Sequence, residues 1–240
     1  MTLPTTATHD FERDLERATL AVYERYAVEV VERFGLCPWA RAARESGEVL
    51  LRVLFSANTD DLDGSLAALR ELSEGEDAPD IALFIYPLLD TSRLGFEDYT
   101  RRLRALAERA SPKLDAYAMA AFHPNAAADL SHPDKLVPYV RRSPDPTLQL
   151  VKNSALSRIK GLTSGTAFLD VSALSVEAFK ALTEPAAKPL RERIAEQNLL
   201  TVTQVGPDVI EAVLGDIASG REREHEGLLA RHGRRGPRRA

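Results

Sequence analysis

Apolar residues recur at helical spacing near the start of the chain, with charged residues on the other face. They lie four or seven positions apart, which is the spacing of an amphipathic helix: Phe11, Leu15, Val22, Tyr26, Val30 and Phe34. Gly35 ends this predicted helix. Pro38 suits the first position of a short second helix, which places Cys37 at its N-cap.

Three short apolar segments then alternate with two helical segments. These segments are rich in branched or aromatic residues, as strands are, and they cover Val49 to Phe55, Ile81 to Tyr86 and Ala116 to Phe122. The second of them is apolar throughout, which is typical of a central strand covered on both faces. Helices are predicted around Leu62 to Leu72 and Phe96 to Ala110. The alternation predicts an α/β fold, a small parallel or mixed sheet with helices packed on it and further helices at the C-terminus.

The periodic pattern stops after the third strand. The segment from His123 through Pro146 contains five prolines, and we expect a long ordered loop that forms a lid or a pocket wall. Asp145 is predicted to cap a helix that begins at Pro146. The apolar stripe predicted for that helix is Leu148, Val151, Ala155 and Ile159.

The remaining residues predict one more strand, two more helices and a basic tail. The strand is expected at Thr166 to Val171, and the helices begin at Pro189 and Pro207. Residues 221–240 carry seven arginines against three glutamates, which favours a disordered end. The predicted organisation is a flexible N-terminus over 1–9, one α/β domain over 10–220 and the tail over 221–240.

Composition is that of an ordinary globular protein. The 240 residues are 44% hydrophobic and 28% charged, with a formal net charge of -5, so disorder is excluded as the main state. The longest apolar run is far shorter than the roughly 18 residues of a membrane span, and acids occupy the start of the chain where a secretion signal is apolar. A cytoplasmic location and no membrane contact are expected. The acidic balance also argues against nucleic acid as the main partner.

The single cysteine is the first candidate for chemistry. It cannot form an intramolecular disulfide or a Cys-x-x-Cys metal site. At a helix N-cap, Cys37 would face unpaired backbone N–H groups, and Arg41 and Arg44 would further favour the thiolate. The alternative is that Cys37 is a small buried residue beside Trp39.

A second candidate site begins with His123 and Asn125, which come directly after a predicted strand. Open α/β sheets bind ligands at the carboxyl ends of their strands, so this histidine is expected at a ligand site. The alternative is a turn histidine whose ring forms a hydrogen bond to a nearby carbonyl.

The arginine pair Arg141 and Arg142, with Ser143, is the third candidate. Because a helix is predicted to follow, a guanidinium and backbone N–H groups could converge on a carboxylate or a phosphate. Under this hypothesis Arg142→Lys weakens anion binding and leaves the thermal midpoint nearly unchanged. The alternative is a surface arginine pair that binds loop carbonyls or acids.

No phosphate loop, dinucleotide fingerprint or Gly-x-Ser-x-Gly motif occurs, so the cofactor stays unknown.

Three short motifs carry a resemblance to a known family. They are Gly35 to Ala40, Phe122 to Pro124, and Tyr139 followed by Arg142 to Pro144. In order and spacing they resemble the bacterial family catalogued as domain of unknown function 1415. The resemblance covers about Tyr23 to Gly206 and implies a soluble bacterial protein without an assigned activity.

Two positions depart from that family's pattern. Asn125 and Gln149 stand where family members often have aspartate and histidine. No metal site is therefore expected at these two positions.

Three hypotheses for the function follow. The leading one is a small enzyme acting on an anionic or carbonyl-bearing molecule, with Cys37 as nucleophile or redox thiol, His123 as general base and Arg142 as anion anchor. The other residues expected at its ligand site are Ser143, Asn125 and Tyr139. A metal- or haem-binding protein that uses Cys37 and His123 is the second hypothesis. A non-catalytic interaction module that uses the basic tail is the third. The substrate and the oligomeric state stay open.

Overall fold

The computed structural model describes residues 6–74, 78–111, 113–162 and 189–234. The helices are α1 (Thr6–Tyr26), a π-helix (Ala27–Glu32), α2 (Ala40–Glu45), α3 (Asp63–Glu74), α4 (Arg93–Ala110), a 3-10 helix (Leu114–Ala116), α5 (Pro133–Val140), α6 (Asn153–Leu162), α7 (Leu190–Val205) and α8 (Pro207–Arg231). The strands are β1 (Val49–Val53), β2 (Ile81–Ile85), β3 (Tyr117–Phe122) and β4 (Thr147–Lys152).

In the described residues the strands form one mixed sheet, in the order β1, β2, β4, β3. Strand β1 is parallel to β2, and β4 is antiparallel to both of its neighbours. The three strands predicted from sequence therefore share one sheet and run in the same direction. Strand β2 is central, as its apolar run predicted, and the predicted α/β fold is confirmed.

Helices cover both faces of the sheet. Because side chains of a strand alternate between faces, Phe84 packs under α3 and α4, while its neighbour Ile85 packs with α1, α5 and α8 on the opposite face. Both side chains are fully buried, and each contributes about 1.5 to 3 kcal/mol of hydrophobic stabilisation. A single strand thus joins the two hydrophobic cores.

The first predicted helix is present but changes its geometry part-way. An α-helix turns by about 100° per residue, so apolar residues exactly four apart drift by about 40° at each step. Val22, Tyr26, Val30 and Phe34 follow such a repeat, and all four are buried. The wider π-helix, in which the N–H of Arg33 bonds the carbonyl of Val28, offsets this drift. Gly35 ends the helical segment with a φ of 61°.

The prediction for the segment after His123 is wrong in two places. Residues 133–140 form α5, which begins with a proline and is capped by His132, so the segment is not one long loop. The predicted helix at Pro146 is strand β4 instead, and α6 begins only at Asn153. Leu148 and Leu150 are buried on one face of β4 while Gln149 between them is only partly buried, which is the alternation of a strand.

Several element boundaries also differ from the prediction. Trp39 is the N-cap residue of α2, so Cys37 is not. Helix α8 continues to Arg231, and residues 221–231 are therefore helical rather than part of a disordered tail. Helix α1 begins at Thr6, inside the N-terminal segment predicted to be flexible. The strand predicted at Thr166 to Val171 lies outside the described residues, as do residues 1–5 and 235–240.

A buried ion pair fixes α8 to the sheet. Asp145 is 1% exposed and lies just before β4. The Nε of Arg221 donates to its carboxylate at 2.6 Å, and the Nη2 of Arg221 donates to the carbonyl oxygen of Pro87 at 3.0 Å. Burial raises the pKa of Asp145, and the charge of Arg221 opposes that effect. The arginine thus offsets part of the cost of burying this carboxylate.

We expect Arg221→Met to destabilise the fold, because it leaves the carboxylate of Asp145 buried without its partner. The free energy of unfolding, measured by urea denaturation at pH 7, should fall by about 3 kcal/mol. The control is Arg223→Met, which changes an exposed arginine of the same helix and should have little effect. Adding Asp145→Asn to Arg221→Met should recover part of the loss. Equal stability of wild type and Arg221→Met would contradict this role.

Candidate functional site

A small cleft lies at the carboxyl end of β3, between the start of α4 and the end of α5. It encloses about 50 Å³. Its polar lining consists of Arg93, Glu97, His123 and Arg141. Its apolar lining consists of Ala121, Val137 and Pro138. A space of this size holds a few water molecules or one small chemical group.

His123 forms the inner wall of the cleft, and both of its ring nitrogens already have partners. The backbone N–H of Asn125 donates to Nδ1 at 3.1 Å, so the ring proton lies on Nε2, which donates to the carbonyl of Thr91 at 3.0 Å. The residue is 5% exposed, and this burial lowers the pKa of His123. His123 is therefore a neutral residue that ties the end of β3 to the loop before α4.

The two arginines of the cleft differ in how their charges are balanced. The guanidinium of Arg93 forms an ion pair with Glu97, one turn further along α4. No carboxylate of the described residues forms an ion pair with Arg141, which immediately follows α5. The side chain of Arg141 reaches solvent, yet partial burial by the surrounding protein lowers its pKa. The charge of Glu97 opposes this effect, and the charge of Arg191 adds to it. Arg141 thus supplies an unbalanced positive charge.

Cys37 lies away from this cleft, in the turn between the π-helix and α2. The backbone N–H groups of Trp39 and Ala40 bond its thiol and favour the thiolate, but burial dominates and raises the pKa of Cys37. The two arginines expected to activate it bind Glu32 instead. Arg44 binds that carboxylate at 2.6 Å and Arg41 at 3.5 Å. The thiol is therefore protonated at neutral pH.

Arg142 also points away from the cleft. Its Nε donates to the carbonyl oxygen of Pro124 at 2.9 Å, its Nη1 forms an ion pair with Glu211, and its guanidinium lies 5.5 Å from the ring centre of Tyr139. Strand β4 rather than a helix follows it, so no helix N-terminus is available for an anion here. The contacts of Arg142 tie α5 to α8.

Of the other three residues expected at the ligand site, Tyr139 and Ser143 have structural partners as well. The hydroxyl of Tyr139 is buried and donates to the carbonyl of Pro207 at 3.3 Å. The hydroxyl of buried Ser143 donates to the carbonyl of Asp145 at 2.5 Å. The side chain of Asn125 is exposed.

The predicted site residues therefore separate into two groups. His123 and Asn125 belong to the end of β3. Cys37 and Arg142 instead lie around Tyr26, whose pKa is raised mainly by burial and is also influenced by both of these groups. Among the described residues, no hydrogen bond or ion pair connects Cys37 with His123.

A family comparison agrees with the three motifs. The family model described as "Protein of unknown function (DUF1415)" matches residues 19–166 of the chain. The chain belongs to this family. All three motifs fall within the matched residues, and the family's description states no activity. No curated protein and no solved structure matches the chain.

The described residues lack two further kinds of feature. No helix among the described residues is long and apolar enough to cross a membrane. The same residues contain no group of three or more histidine, cysteine, aspartate or glutamate side chains that could hold a metal ion.

Sequence reasoning missed the residues that give the cleft its charge. Arg93 and Glu97 were not singled out, and Arg141 was named only as part of the arginine pair in which Arg142 was the expected anchor. One signal was available, since Pro133 followed by Asp134 has the composition of a helix start. With α5 assigned, Arg141 would have been placed at its C-terminal end.

We expect the thiol of Cys37 to react with iodoacetamide at pH 7 more slowly than free cysteine, because burial keeps it protonated. Since the chain has one cysteine, mass spectrometry of the intact protein measures this reaction directly. Labelling in denaturant is the control and should be as fast as that of a free thiol. Native labelling faster than free cysteine would instead support the reactive-thiol hypothesis.

We expect Arg142→Lys to lower stability, contrary to the prediction made from sequence. Lysine keeps one charge near Glu211 but loses the bond to Pro124 and the flat contact with Tyr139, which together are worth about 1 to 2 kcal/mol. Thermal and urea unfolding measure the loss. Arg223→Lys, at an exposed position, is the matched control. An unchanged midpoint for Arg142→Lys would return this residue to the list of candidate ligand anchors.

Proposed function

We propose that the protein binds a small anionic molecule in the cleft at the end of β3, with Arg141 as its principal anchor. One observation carries this proposal. The guanidinium of Arg141 lines a concave site, and no carboxylate of the described residues is paired with it. Arginine suits this role because its planar group offers two parallel N–H donors to a carboxylate or a phosphate.

The surroundings of Arg141 favour an external anion over a protein acid. Partial removal from water lowers the pKa of Arg141, and the charge of Arg191 adds to this effect while the charge of Glu97 opposes it. An anion held against the guanidinium would relieve both effects. Glu97, the nearest acid on this side, is already paired with Arg93. The remaining N–H groups of Arg93 can serve as a second donor.

The apolar wall of the cleft strengthens such an interaction. Ala121, Val137 and Pro138 exclude water from one side of the anion, and a charged pair is stronger where water is scarce. This arrangement supports the anionic ligand of the leading sequence hypothesis. It assigns the binding role to Arg141 rather than to Arg142, which is held by Glu211.

The geometry favours binding over the catalytic roles first assigned. A general base needs a ring nitrogen free to take a proton from the ligand, and both nitrogens of His123 have partners. The same bonds leave His123 without a lone pair for a metal or a haem. The interaction-module hypothesis loses part of its support, because residues 221–231 are helical within α8.

The test is an NMR titration with sodium sulfate at constant ionic strength, followed through the backbone amides of His123, Asn125 and Arg141. The wild type should show saturable shifts at these amides. Arg141→Gln should weaken binding at least tenfold, about 1.4 kcal/mol. The thermal midpoint should change little, because the guanidinium of Arg141 has no carboxylate partner among the described residues and lies 6.0 Å from the ring centre of Phe122. Arg109→Gln, at an exposed position near the end of α4, is the control and should bind like the wild type. Equal binding by wild type and Arg141→Gln would refute the proposal.

A further inference from the structure

Strand β1 forms an open edge of the sheet, since β2 pairs with one side of it only. The backbone N–H of Leu54 donates to the carbonyl of Ile85 at 2.8 Å, so the even-numbered residues of this segment bond toward β2. Because backbone groups alternate along a strand, those of Val49, Leu51 and Val53 point away from the sheet. In the described part of the chain, these outward groups have no hydrogen-bond partner.

The opposite edge of the sheet, formed by β3, is protected. The Nη2 of Arg104 on α4 donates to the carbonyl oxygen of Met119 at 2.6 Å. Directly after β3, the backbone N–H of His123 donates to the carbonyl oxygen of Arg141 at 3.1 Å. Unpaired backbone groups on an edge strand are a template for another strand, which is why proteins usually cover them. The sheet can therefore be extended at β1.

The side chains along this edge place an apolar residue between an acid and a base. Leu50 is 40% exposed, although its neighbours in the strand are partly buried. Glu48 is exposed and forms no ion pair with any described residue. Arg52 binds Glu71 through Nη2 at 2.7 Å, and its other N–H groups can serve a second carboxylate. Residues 48–52, which we call the β1 edge, thus carry opposite charges at their two ends.

The β1 edge is complementary to a reversed copy of itself. A twofold axis at Leu50 brings two copies of the strand together antiparallel, with Glu48 of each copy opposite Arg52 of the other. In this register Val49 and Leu51 form the hydrogen-bonded pairs, and they are the residues whose backbone groups point outward. The charged residues fall at positions where opposite side chains lie closest. An axis at Leu51 would instead place Leu50 opposite Arg52 and lose both charge pairs.

We propose that the protein binds a second copy of itself through the β1 edge, as a twofold dimer whose two sheets join edge to edge. Such a dimer is closed, because each copy occupies the open edge of the other. The Glu48–Arg52 pairs fix the register. This inference is independent of the proposed anion binding, because the cleft lies at the end of β3, on the opposite edge of the sheet.

A charge exchange across the axis tests the proposal. By sedimentation velocity at low salt, the wild type should shift from monomer to dimer as its concentration rises. Glu48→Arg and Arg52→Glu should each weaken the dimer roughly tenfold or more, because each places like charges opposite one another. An equimolar mixture of the two variants should dimerise about as tightly as the wild type, because it restores both opposite-charge pairs. Native mass spectrometry identifies the mixed dimer.

Two further variants complete the experiment, with thermal midpoints measured to confirm that each protein folds. Glu108→Arg, at an exposed position on α4, is the matched control and should dimerise like the wild type. Leu50→Lys should abolish the dimer by placing two positive charges on the axis. It leaves the ion pair of Arg52 with Glu71 intact, so it decides the question if Arg52→Glu folds poorly.

Three results would overturn the dimer. The first is a wild type that stays monomeric up to millimolar protein. The second is a dimer that survives Leu50→Lys or Glu48→Arg unchanged, since the copies then meet elsewhere. The third is a mixture of folded charge variants that stays monomeric, because the register is then not the one set by Glu48 and Arg52.

Discussion

The insertion of β4 between β2 and β3 is the constraint on which the rest of the structure depends. Its backbone pairs with a strand on each side, so the chain must leave β3 at one edge of the sheet and return antiparallel beside it. The connection between them, residues 123–146, is therefore anchored at both ends to the same edge. Helix α5 and the two arginines that follow it are positioned by this return. The cleft and the contacts of Arg142 are both consequences of it.

Much of the fold could be predicted from local patterns, but β4 could not, because its sequence fits both a strand and a helix. The long first helix and the apolar run of β2 are signals contained within one segment. In β4, the alternation around Gln149 favours a strand, but Pro146 and the spacing from Val151 to Ala155 favour a helix. Hydrogen-bonded pairing with β2 and β3 makes this segment a strand. Such pairing involves residues distant in the sequence, so the local pattern of the segment does not indicate it.

The candidate site could be located from sequence, but its chemistry could not. His123 was found because it ends a strand, and the cleft does lie at that position. The role of its ring depends on a carbonyl 32 residues earlier in the chain, which no local pattern indicates. The choice between Arg141 and Arg142 likewise depended on Glu211, which lies on a helix far along the chain. Local reasoning finds positions, whereas partners at long range decide whether a polar group is free or occupied.

The double attachment of His123 has a consequence for how the cleft binds. One ring holds the end of β3, through Asn125, and the loop before α4, through Thr91, so a single side chain joins the two sides of the cleft. A site that is already shaped loses little conformational entropy on taking up a ligand. Under the proposed function the cleft is thus a preorganised receptor, for which rapid exchange of the anion is expected rather than trapping.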